Sequence, residues 1–362
     1  MSVIHQDQGA VTPAGWSVSQ QLPERVAASC LFDSAGWLRG WEGIGVERRT
    51  RLAYVHTEPM GPQGSPVLPL YEVTKSPFWH GYEAQVGLVG QFGTPMIFAG
   101  SAYSMYSKRG QVPVDLARGA YLTAMDWIVT GAAEVLVVPN LTAEGVADWI
   151  AAVGPPLGKV LLDRTYSYDL TGDFSDHLSR RMTGKIRRDV GRRLRRSEER
   201  GLRVRMLDTV SAHELVANAF PLIVDTSDKN EWPVLFDEDS LHGLLRVPGA
   251  MMAAAQVDDR LVGVFFGFRR GTEVTFLCGG VDYASLNELS TYVTLMYRST
   301  EWAYQQGMRR IEWGRDNYRF KERHGLPGTD LWALVYAPNP RPELVGALNR
   351  MHEVLSAYIE AE

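Results

Sequence analysis

The feature that most constrains the fold is an order of elements that occurs twice along the chain. In residues 250–335, apolar and polar residues alternate as in strands and then repeat at helical spacing. This predicts strands Gly249–Val257, Leu261–Phe268, Glu273–Val281, Met308–Trp313 and Asp330–Tyr336, with a helix Glu288–Gln306 after the third strand. A three-strand meander therefore precedes a helix and a further strand.

The first half of the chain has the same order. It predicts strands Arg51–His56, Val67–Val73, Tyr82–Val89, Met96–Ala99 and Glu134–Val138, with a helix Val114–Thr130 before the last strand. The helical segments Ala120–Asp126 and Thr291–Tyr297 share Tyr, Thr and Met at matching positions. We interpret the repeated order as an internal duplication. Two unrelated α/β domains with similar helices are the alternative.

Length and composition fit two domains. A chain of 362 residues exceeds the size of one hydrophobic core, and 45% hydrophobic with 22% charged residues is ordinary for globular proteins. We predict an α/β (α+β) fold of two tandem domains, each a mixed, mostly antiparallel sheet flanked by helices. The domains are 1–164 and 165–340. A strand Lys159–Leu170 connects them, and an amphipathic helix in 341–362 is expected to return to the first.

Charge and special motifs exclude several classes of protein. A net charge of -5 argues against a surface that binds polyanions everywhere. The N-terminus has no signal-like pattern and no apolar run approaches a membrane span, so we expect the cytoplasm. Cys30 and Cys278 match no metal spacing and are expected to be reduced. The sequence has no metal cluster, P-loop or nucleophile elbow, so neither a metal nor a tightly bound cofactor is expected.

The element order is that of the GNAT acyltransferase core, and its duplication resembles the FemABX-like branch of that superfamily. The resemblance covers nearly the whole chain. It rests on order and spacing of Leu31–Leu38, Pro66–Tyr71, the basic helix Ser179–Gly201, Leu261–Val264 and Tyr318–Lys321 before Gly325. It implies an acyltransferase or aminoacyltransferase that forms an amide bond, with its active site in the second domain.

The segment before the second repeated helix bears on the donor. GNAT acetyltransferases place a glycine-containing loop there, whose N–H groups bind the pyrophosphate of coenzyme A. Here the segment Asp282–Ser290 has no glycine and two carboxylates, which disfavours that pose. The resemblance implies aminoacyl-tRNA as donor; a thioester of coenzyme A or a carrier protein is the alternative. The amine acceptor stays open among a cell-wall precursor, an aminosugar or other amine of natural-product biosynthesis, and a protein amine.

Asp316–Gly325 follows a predicted strand and concentrates charged residues, which makes it the first candidate for the catalytic site. The resemblance places Lys321 at the reaction centre, stabilising an oxyanion or leaving oxygen, and lets the Phe320 carbonyl orient the amine. A solvated lysine paired with Glu322 is the alternative. Asp316 and His324 are candidate proton acceptors, against ordinary turn and surface roles.

Aromatic and polar residues near the predicted strand ends are candidates for substrate binding, against roles in core packing or turns. They are Tyr318, Trp313, Arg319, Arg323, Tyr283, Asn287, Tyr82 and Tyr103. Tyr82 and Tyr103 belong to the segments Trp79–Glu83 and Ser101–Tyr106, which suit an acceptor cleft between the domains. The polar loop Val224–Trp232 is either a lid or an ordinary loop.

The basic helix is a candidate site for donor phosphates or RNA, through Lys185, Arg187, Arg188, Arg192 and Arg195. The alternative is a solvated structural helix whose arginines pair with nearby acids and whose apolar seam is Met182, Ile186, Val190 and Leu194. This basic surface also permits a reading from another class of protein. In that reading, the chain is a nucleic-acid-binding or regulatory protein with an inactive GNAT fold.

Overall fold

A computed structural model describes residues 15–58, 61–103 and 112–361. The N-terminal segment judged to lack a signal, and residues 104–106 of the candidate segment Ser101–Tyr106, lie outside the described residues.

The strands form one twelve-stranded sheet in the order β1-β2-β3-β4-β5-β12-β6-β11-β10-β9-β8-β7. In chain order they are β1 (Trp16–Ser19), β2 (Arg48–Thr57), β3 (Val67–Lys75), β4 (Met96–Ala99), β5 (Leu136–Leu141), β6 (Gly158–Asp169), β7 (Leu202–Leu207), β8 (Ala250–Val257), β9 (Arg260–Arg270), β10 (Glu273–Val281), β11 (Arg310–Glu312) and β12 (Gly328–Tyr336).

Helices flank both faces of this sheet. In chain order they are α1 (Ala35–Ile44), α2 (Pro77–Gln85), α3 (Val114–Thr130), α4 (Ala143–Val153), α5 (Phe174–Arg181), α6 (Gly184–Glu199), α7 (Thr209–His213), α8 (Val216–Lys229), α9 (Glu238–Leu245), α10 (Leu286–Leu289), α11 (Thr291–Gln305), α12 (Tyr318–Arg323) and α13 (Pro342–Ala361). A short 3-10 helix, Leu31–Asp33, precedes α1.

The two halves repeat one arrangement, as the sequence predicts. In the first, β2, β3 and β4 are antiparallel, and α3 leads to β5, which runs parallel to β4. In the second, β8, β9 and β10 are antiparallel, and α11 leads to β11, which runs parallel to β10. The mixed, mostly antiparallel sheet flanked by helices is confirmed.

The last strand of each half pairs with the other half. After β5 the chain continues through α4 into β6, whose C-terminal end pairs with β11. After β11 it continues through α12 into β12, which pairs with β5. β6 and β12 also pair with each other at the centre of the sheet. The boundary at 164/165 lies inside β6, so it stays a prediction about a strand that both halves share.

The C-terminal helix α13 packs along β6 and contacts the first half. The Arg341 guanidinium lies 2.8 Å from the Glu134 carboxylate, and Arg350 donates a hydrogen bond to the Val86 carbonyl at 3.1 Å. Its apolar side joins a core that contains residues of both halves, through Leu344, Leu348, Met351 and Leu355.

Four predictions of elements are wrong in detail. The segment Val224–Trp232, expected to be a polar loop, is mostly the end of α8, which continues to Lys229. The expected strand Tyr82–Val89 is instead the end of α2 and the turns after it, because Pro77 at the first helical turn favours a helix start. The basic helix is broken at Met182 into α5 and α6, and the Thr183 side chain caps the second. The long helix expected from Glu288 is divided by Ser290, which has a left-handed backbone with φ 50°.

Two further findings concern the chain as a whole. Among the described residues, no helix is long and apolar enough to cross a membrane. Cys30 and Cys278 are reduced thiols, as expected, and burial raises the pKa of Cys278 to about 12.

Candidate active site

The candidate site lies where β10 and β11 separate. These strands pair only over Glu273–Thr275 and Arg310–Glu312, while β10 continues to Val281 beyond a bulge after Phe276. The chain leaves β11 through residues 313–317, here called the 313–317 loop, and enters α12. Beyond Thr275 and Glu312 the two strands are therefore no longer paired, and Trp313 of the loop stacks on Phe276 of β10 at 4.6 Å.

The backbone of the 313–317 loop is strained. Gly314, Asp316 and Asn317 all have positive φ, at 64°, 63° and 53°. Non-glycine residues rarely adopt this conformation, which costs on the order of 1 kcal/mol or more at each position unless the surroundings hold it. Something must therefore stabilise the loop in this shape.

Lys321 stabilises it from α12. Its Nζ donates hydrogen bonds to the carbonyls of Trp313 at 3.1 Å, Gly314 at 3.1 Å and Arg315 at 2.5 Å. Its side chain is buried, with a relative exposure of 1%. Burial lowers the pKa of Lys321 to about 8, while the charges of Asp316, Asp163 and Glu312 oppose that effect. Three carbonyl acceptors need three N–H donors, so the geometry requires the protonated ammonium.

The alternative of a solvated lysine paired with Glu322 is wrong. The Glu322 carboxylate instead accepts from Arg164 at 3.0 Å and from the Tyr166 hydroxyl at 2.9 Å. The Lys321 ammonium lies 5.3 Å above the Tyr166 ring.

A buried carboxylate on β11 lies near the ammonium. Glu312 accepts a hydrogen bond from the Thr165 hydroxyl at 2.6 Å, and its second oxygen is 3.8 Å from Arg310. Burial raises the pKa of Glu312 to about 8, with the charges of Arg310 and Lys321 opposing it. β6 supplies Thr165, so the site includes side chains from the strand shared by both halves.

A second buried carboxylate, Asp163 on β6, binds the loop itself. The Arg315 guanidinium lies 2.7 Å from one carboxylate oxygen, and the Tyr318 hydroxyl donates to the other at 2.6 Å. Tyr82 of α2 donates to Asp163 at 3.1 Å and also accepts a hydrogen bond from Arg315. Arg315 further lies 4.2 Å above the Phe78 ring. Both halves of the chain therefore contact the loop.

The structure brings several predicted residues together here and separates others. Trp313 is the first residue of the loop, and Tyr318, Lys321 and Tyr82 lie around it. Tyr103 lies outside this cluster, stacked on Trp41 at 4.7 Å and joined to Tyr82 through Phe78. Exposed side chains are those of Asp316, Arg319, Arg323 and Asn287, and Tyr283 is partly buried.

His324 is buried behind the loop and contacts the partly buried Phe320. Their rings stack at 4.0 Å, and His324 Nδ1 lies 2.6 Å from the Tyr297 hydroxyl. Burial lowers the pKa of His324 to about 4, so the ring is neutral at pH 7. The Phe320 carbonyl accepts the backbone N–H of His324 at 3.0 Å. Proton acceptance by His324 and amine binding by the Phe320 carbonyl stay predictions.

Known proteins share this architecture. Residues 184–322 match a family model described as "Acetyltransferase (GNAT) domain". FemX is similar with a TM-score of 0.56 and 10% identity, covering 84% of this chain and 92% of FemX. A conserved protein of unknown function from Bacteroides thetaiotaomicron VPI-5482 is similar with a TM-score of 0.52 and 11% identity, covering 83% of this chain and 89% of its own.

The chain has a tandem GNAT fold of the FemABX-like type. A tandem GNAT protein from the clavulanic acid biosynthesis pathway also matches, with a TM-score of 0.49 and 12% identity over 88% of this chain and 92% of that one. No curated relative matches the sequence. At these identities the likeness establishes the fold, and the chemistry has to be argued from the site.

The segment Asp282–Ser290, which precedes α11, does not fit the pyrophosphate of coenzyme A. Asp282 accepts hydrogen bonds from the Ala284 N–H, the Ser285 hydroxyl and Arg260, so its carboxylate is fixed within the segment. At the start of α11, Ser290 and Thr291 are buried, and the Ser197 hydroxyl of α6 donates to the Leu289 carbonyl at 2.5 Å. A carboxylate and a covered helix start do not accommodate an anion.

The GNAT helix α6 presents a basic face. Lys185, Arg187, Arg188, Arg192 and Arg195 are all exposed, while Val190 and Leu194 are buried against Val293 and Tyr297 of α11. Arg192 pairs with Asp189. Within the described part of the chain, the other four have no ion pair. The apolar seam and the basic face thus coexist on opposite sides of one helix.

Sequence reasoning missed Asp163, Thr165, Glu312 and Arg315. Asp163 was detectable as a lone carboxylate in the apolar strand Val160–Leu162, since a charge in such a run requires a partner. The partners themselves come from distant segments, and no local pattern identifies them.

Proposed function

We propose that this chain transfers an acyl or aminoacyl group from an activated ester or thioester to an amine at the 313–317 loop. One observation carries the proposal. The buried ammonium of Lys321 donates hydrogen bonds to three successive backbone carbonyls of a strained loop. This loop lies where β10 and β11 cease to pair. A fold that binds no substrate there has no need of a buried charge and a strained backbone together.

The hydrogen bonds from Lys321 to the carbonyls also orient the N–H groups of the loop. In a planar trans peptide, the C=O and the following N–H point in opposite directions. Because the carbonyls of residues 313–315 converge on Lys321 Nζ, the N–H groups of residues 314–316 point away from it. Since the carbonyls converge, these N–H groups diverge, so in this proposal a single one of them donates to the oxyanion of the tetrahedral intermediate. In this proposal Lys321 polarises these peptide groups and does not itself touch the substrate.

The attacking amine must lose a proton during the reaction. Asp316 is the exposed carboxylate of the loop, and its charge acts on both Lys321 and Tyr292. We assign it the role of proton acceptor within the proposal. The amine nitrogen bonds to the carbonyl carbon, and the bond from that carbon to the ester oxygen or thioester sulfur breaks. Asp316 accepts the amine proton and passes it to the leaving oxygen or sulfur.

Aminoacyl-tRNA is the donor that the surface favours. Asp282 and the covered start of α11 disfavour the usual pose of coenzyme A, and α6 offers exposed cations in the same half as the loop. A polyanionic donor gains affinity from such a face through release of counterions.

Separate incubations with labelled aminoacyl-tRNA and labelled acyl-CoA test this proposal. Each donor is offered an amine panel of an aminosugar, a lysine peptide and a protein with free amines. We expect transfer from aminoacyl-tRNA that disappears after ribonuclease treatment. Transfer from acyl-CoA alone would overturn the tRNA assignment. Binding of tRNA without transfer to any amine would favour the nucleic-acid-binding alternative.

A further inference from the structure

A buried carboxylate outside the loop connects the two halves of the molecule. We infer that Asp163 is a positioning residue, through which the first half of the chain holds the 313–317 loop in its reactive shape. The inference rests on the proposed function and adds a residue to it. Asp163 lies on β6, the strand shared by both halves, and only 4% of it is exposed.

Its carboxylate is the meeting point of four segments. One oxygen accepts from the Tyr318 hydroxyl of α12 at 2.6 Å and from the Arg164 N–H of β6 at 2.7 Å. The other binds Arg315 of the loop at 2.7 Å and the Tyr82 hydroxyl of α2 at 3.1 Å. A carboxylate has about four acceptor positions, so these donors occupy them all.

Two side chains anchor the loop, in addition to the backbone hydrogen bonds between Tyr166 of β6 and residues 313 and 314. Lys321 holds its carbonyls from α12, and Asp163 holds the Arg315 side chain from β6. The Arg315 guanidinium also lies 4.2 Å above the Phe78 ring of α2. With both anchors in place, the three residues of positive φ have little freedom to relax, and the loop N–H groups keep their direction.

The ion pair between Asp163 and Arg315 is better explained by a role in positioning the loop than by a contribution to stability. Burying two charges costs several kcal/mol, and a buried ion pair commonly contributes no more stability than an apolar pair of similar volume. The pair does, however, fix direction, because each of its hydrogen bonds has a defined geometry. Burial raises the pKa of Asp163, and the Arg315 charge opposes that effect.

The test uses Asp163→Asn, Tyr82→Phe and the double variant Asp163→Asn/Arg315→Gln. Tyr71→Phe is the matched control, since Tyr71 is a buried tyrosine of the same half that binds Glu42 instead. We measure kcat and KM for transfer from the donor found active, thermal unfolding, and hydrogen exchange of residues 313–318. The double variant removes both charges, so it avoids the unpaired buried arginine that the single variant leaves.

For Asp163→Asn we expect kcat to fall roughly 10- to 100-fold with KM within about threefold, because a small displacement of reacting groups has effects of this size. Tyr82→Phe should show a smaller fall in kcat, and both should exchange faster at 313–318. The double variant should recover thermal stability without recovering kcat. Tyr71→Phe should resemble the wild type.

A double variant that recovers both stability and kcat would overturn the inference, because Asp163 would then act only on folding. Unchanged exchange of the loop in a folded Asp163→Asn protein would overturn it as well. Failure of the proposed function is a separate result: the wild type would transfer from neither donor, and the exchange measurement alone would still decide whether Asp163 holds the loop.

Discussion

Lys321 is charged although its burial lowers the pKa of the ammonium. The side chain lies in the interior, and the ammonium remains protonated because three carbonyls accept its three hydrogens. From the sequence alone, choosing this lysine over a solvated one depended on the FemABX-like resemblance. In the structure the choice follows from its contacts, since Glu322 binds Arg164 and Tyr166.

Replacement of Lys321 by Met should reduce transfer by roughly 100-fold or more, because the loop N–H groups lose their fixed direction. It should also lower the free energy of unfolding by about 3 kcal/mol, since three buried carbonyls each lose a hydrogen bond from a charged donor. Kinetics and urea unfolding measure the two effects. Lys229→Met, at an exposed lysine, is the control.

A folded Lys321→Met protein that transfers at the wild-type rate would contradict the catalytic proposal. If such a protein also needed the cations of α6 for its activity, the inactive-GNAT alternative would be the better description.

At the scale of elements, α6 has both an apolar seam and a basic face, and both are visible in the sequence. Its apolar seam packs on α11, which leaves the basic side in solvent. The exposed arginines Arg187, Arg188 and Arg195 lie on this side and, among the residues that the structure describes, form no ion pair. A helix of this kind can bind phosphates without any change in its packing.

Charge reversal on α6 should weaken tRNA binding without unfolding the chain. For Arg188→Glu/Arg195→Glu we expect at least a 10-fold loss of affinity and a salt dependence reduced by about two contacts. Filter binding over a range of salt concentrations measures both. The control Arg25→Glu/Arg39→Glu changes two exposed arginines elsewhere and the net charge equally. Equal losses in the two double variants would mean that α6 has no specific role.

At the scale of the whole molecule, exchanged strands and a shared core join the halves. β6 pairs with β11 and β12, β12 pairs with β5 and β6, and one hydrophobic cluster contains residues from α1, α2, α8 and α13. Unfolding either half would break pairings of the other. We therefore expect the halves to unfold together.

His177 and His324 should each destabilise the folded chain as the pH falls from 6.5 towards 4. Burial lowers the pKa of both to about 4, so between these values each histidine binds more protons in the unfolded chain than in the folded one. The raised pKa of Glu312 acts in the opposite direction, so the contribution of a histidine is the difference between the wild type and its variant. Each histidine should account for on the order of 2–3 kcal/mol over this range. Urea midpoints at pH 7, 6 and 5 measure the trend.

His324→Asn should reduce that pH dependence, because the amide oxygen can replace Nδ1 as the partner of the Tyr297 hydroxyl without titrating. His352→Asn on α13 is the control and should leave most of the slope. A slope unchanged by His324→Asn would show that this histidine is not buried in its neutral form.

Much of the fold could be predicted because it depends on local patterns. Alternation of residues in β8 to β10, helical spacing in α3 and α11, and the missing glycines after β10 all lie within short stretches of sequence. Predictions failed where a local signal was weak or misread. Pro77 marks the start of α2, and Ser290 interrupts the helix expected from Glu288.

The sequence by itself determined the duplicated order of elements, the basic face with its apolar seam, and the candidacy of Lys321 through a resemblance. Only the tertiary structure decided that β6 and β12 exchange between halves, and that Asp163 joins Tyr82, Arg315 and Tyr318. The physical reason is the separation along the sequence of the residues that interact. Periodicity records which side of an element is buried, whereas a contact between Tyr82 and Arg315 exists only after the sheet has assembled around β6.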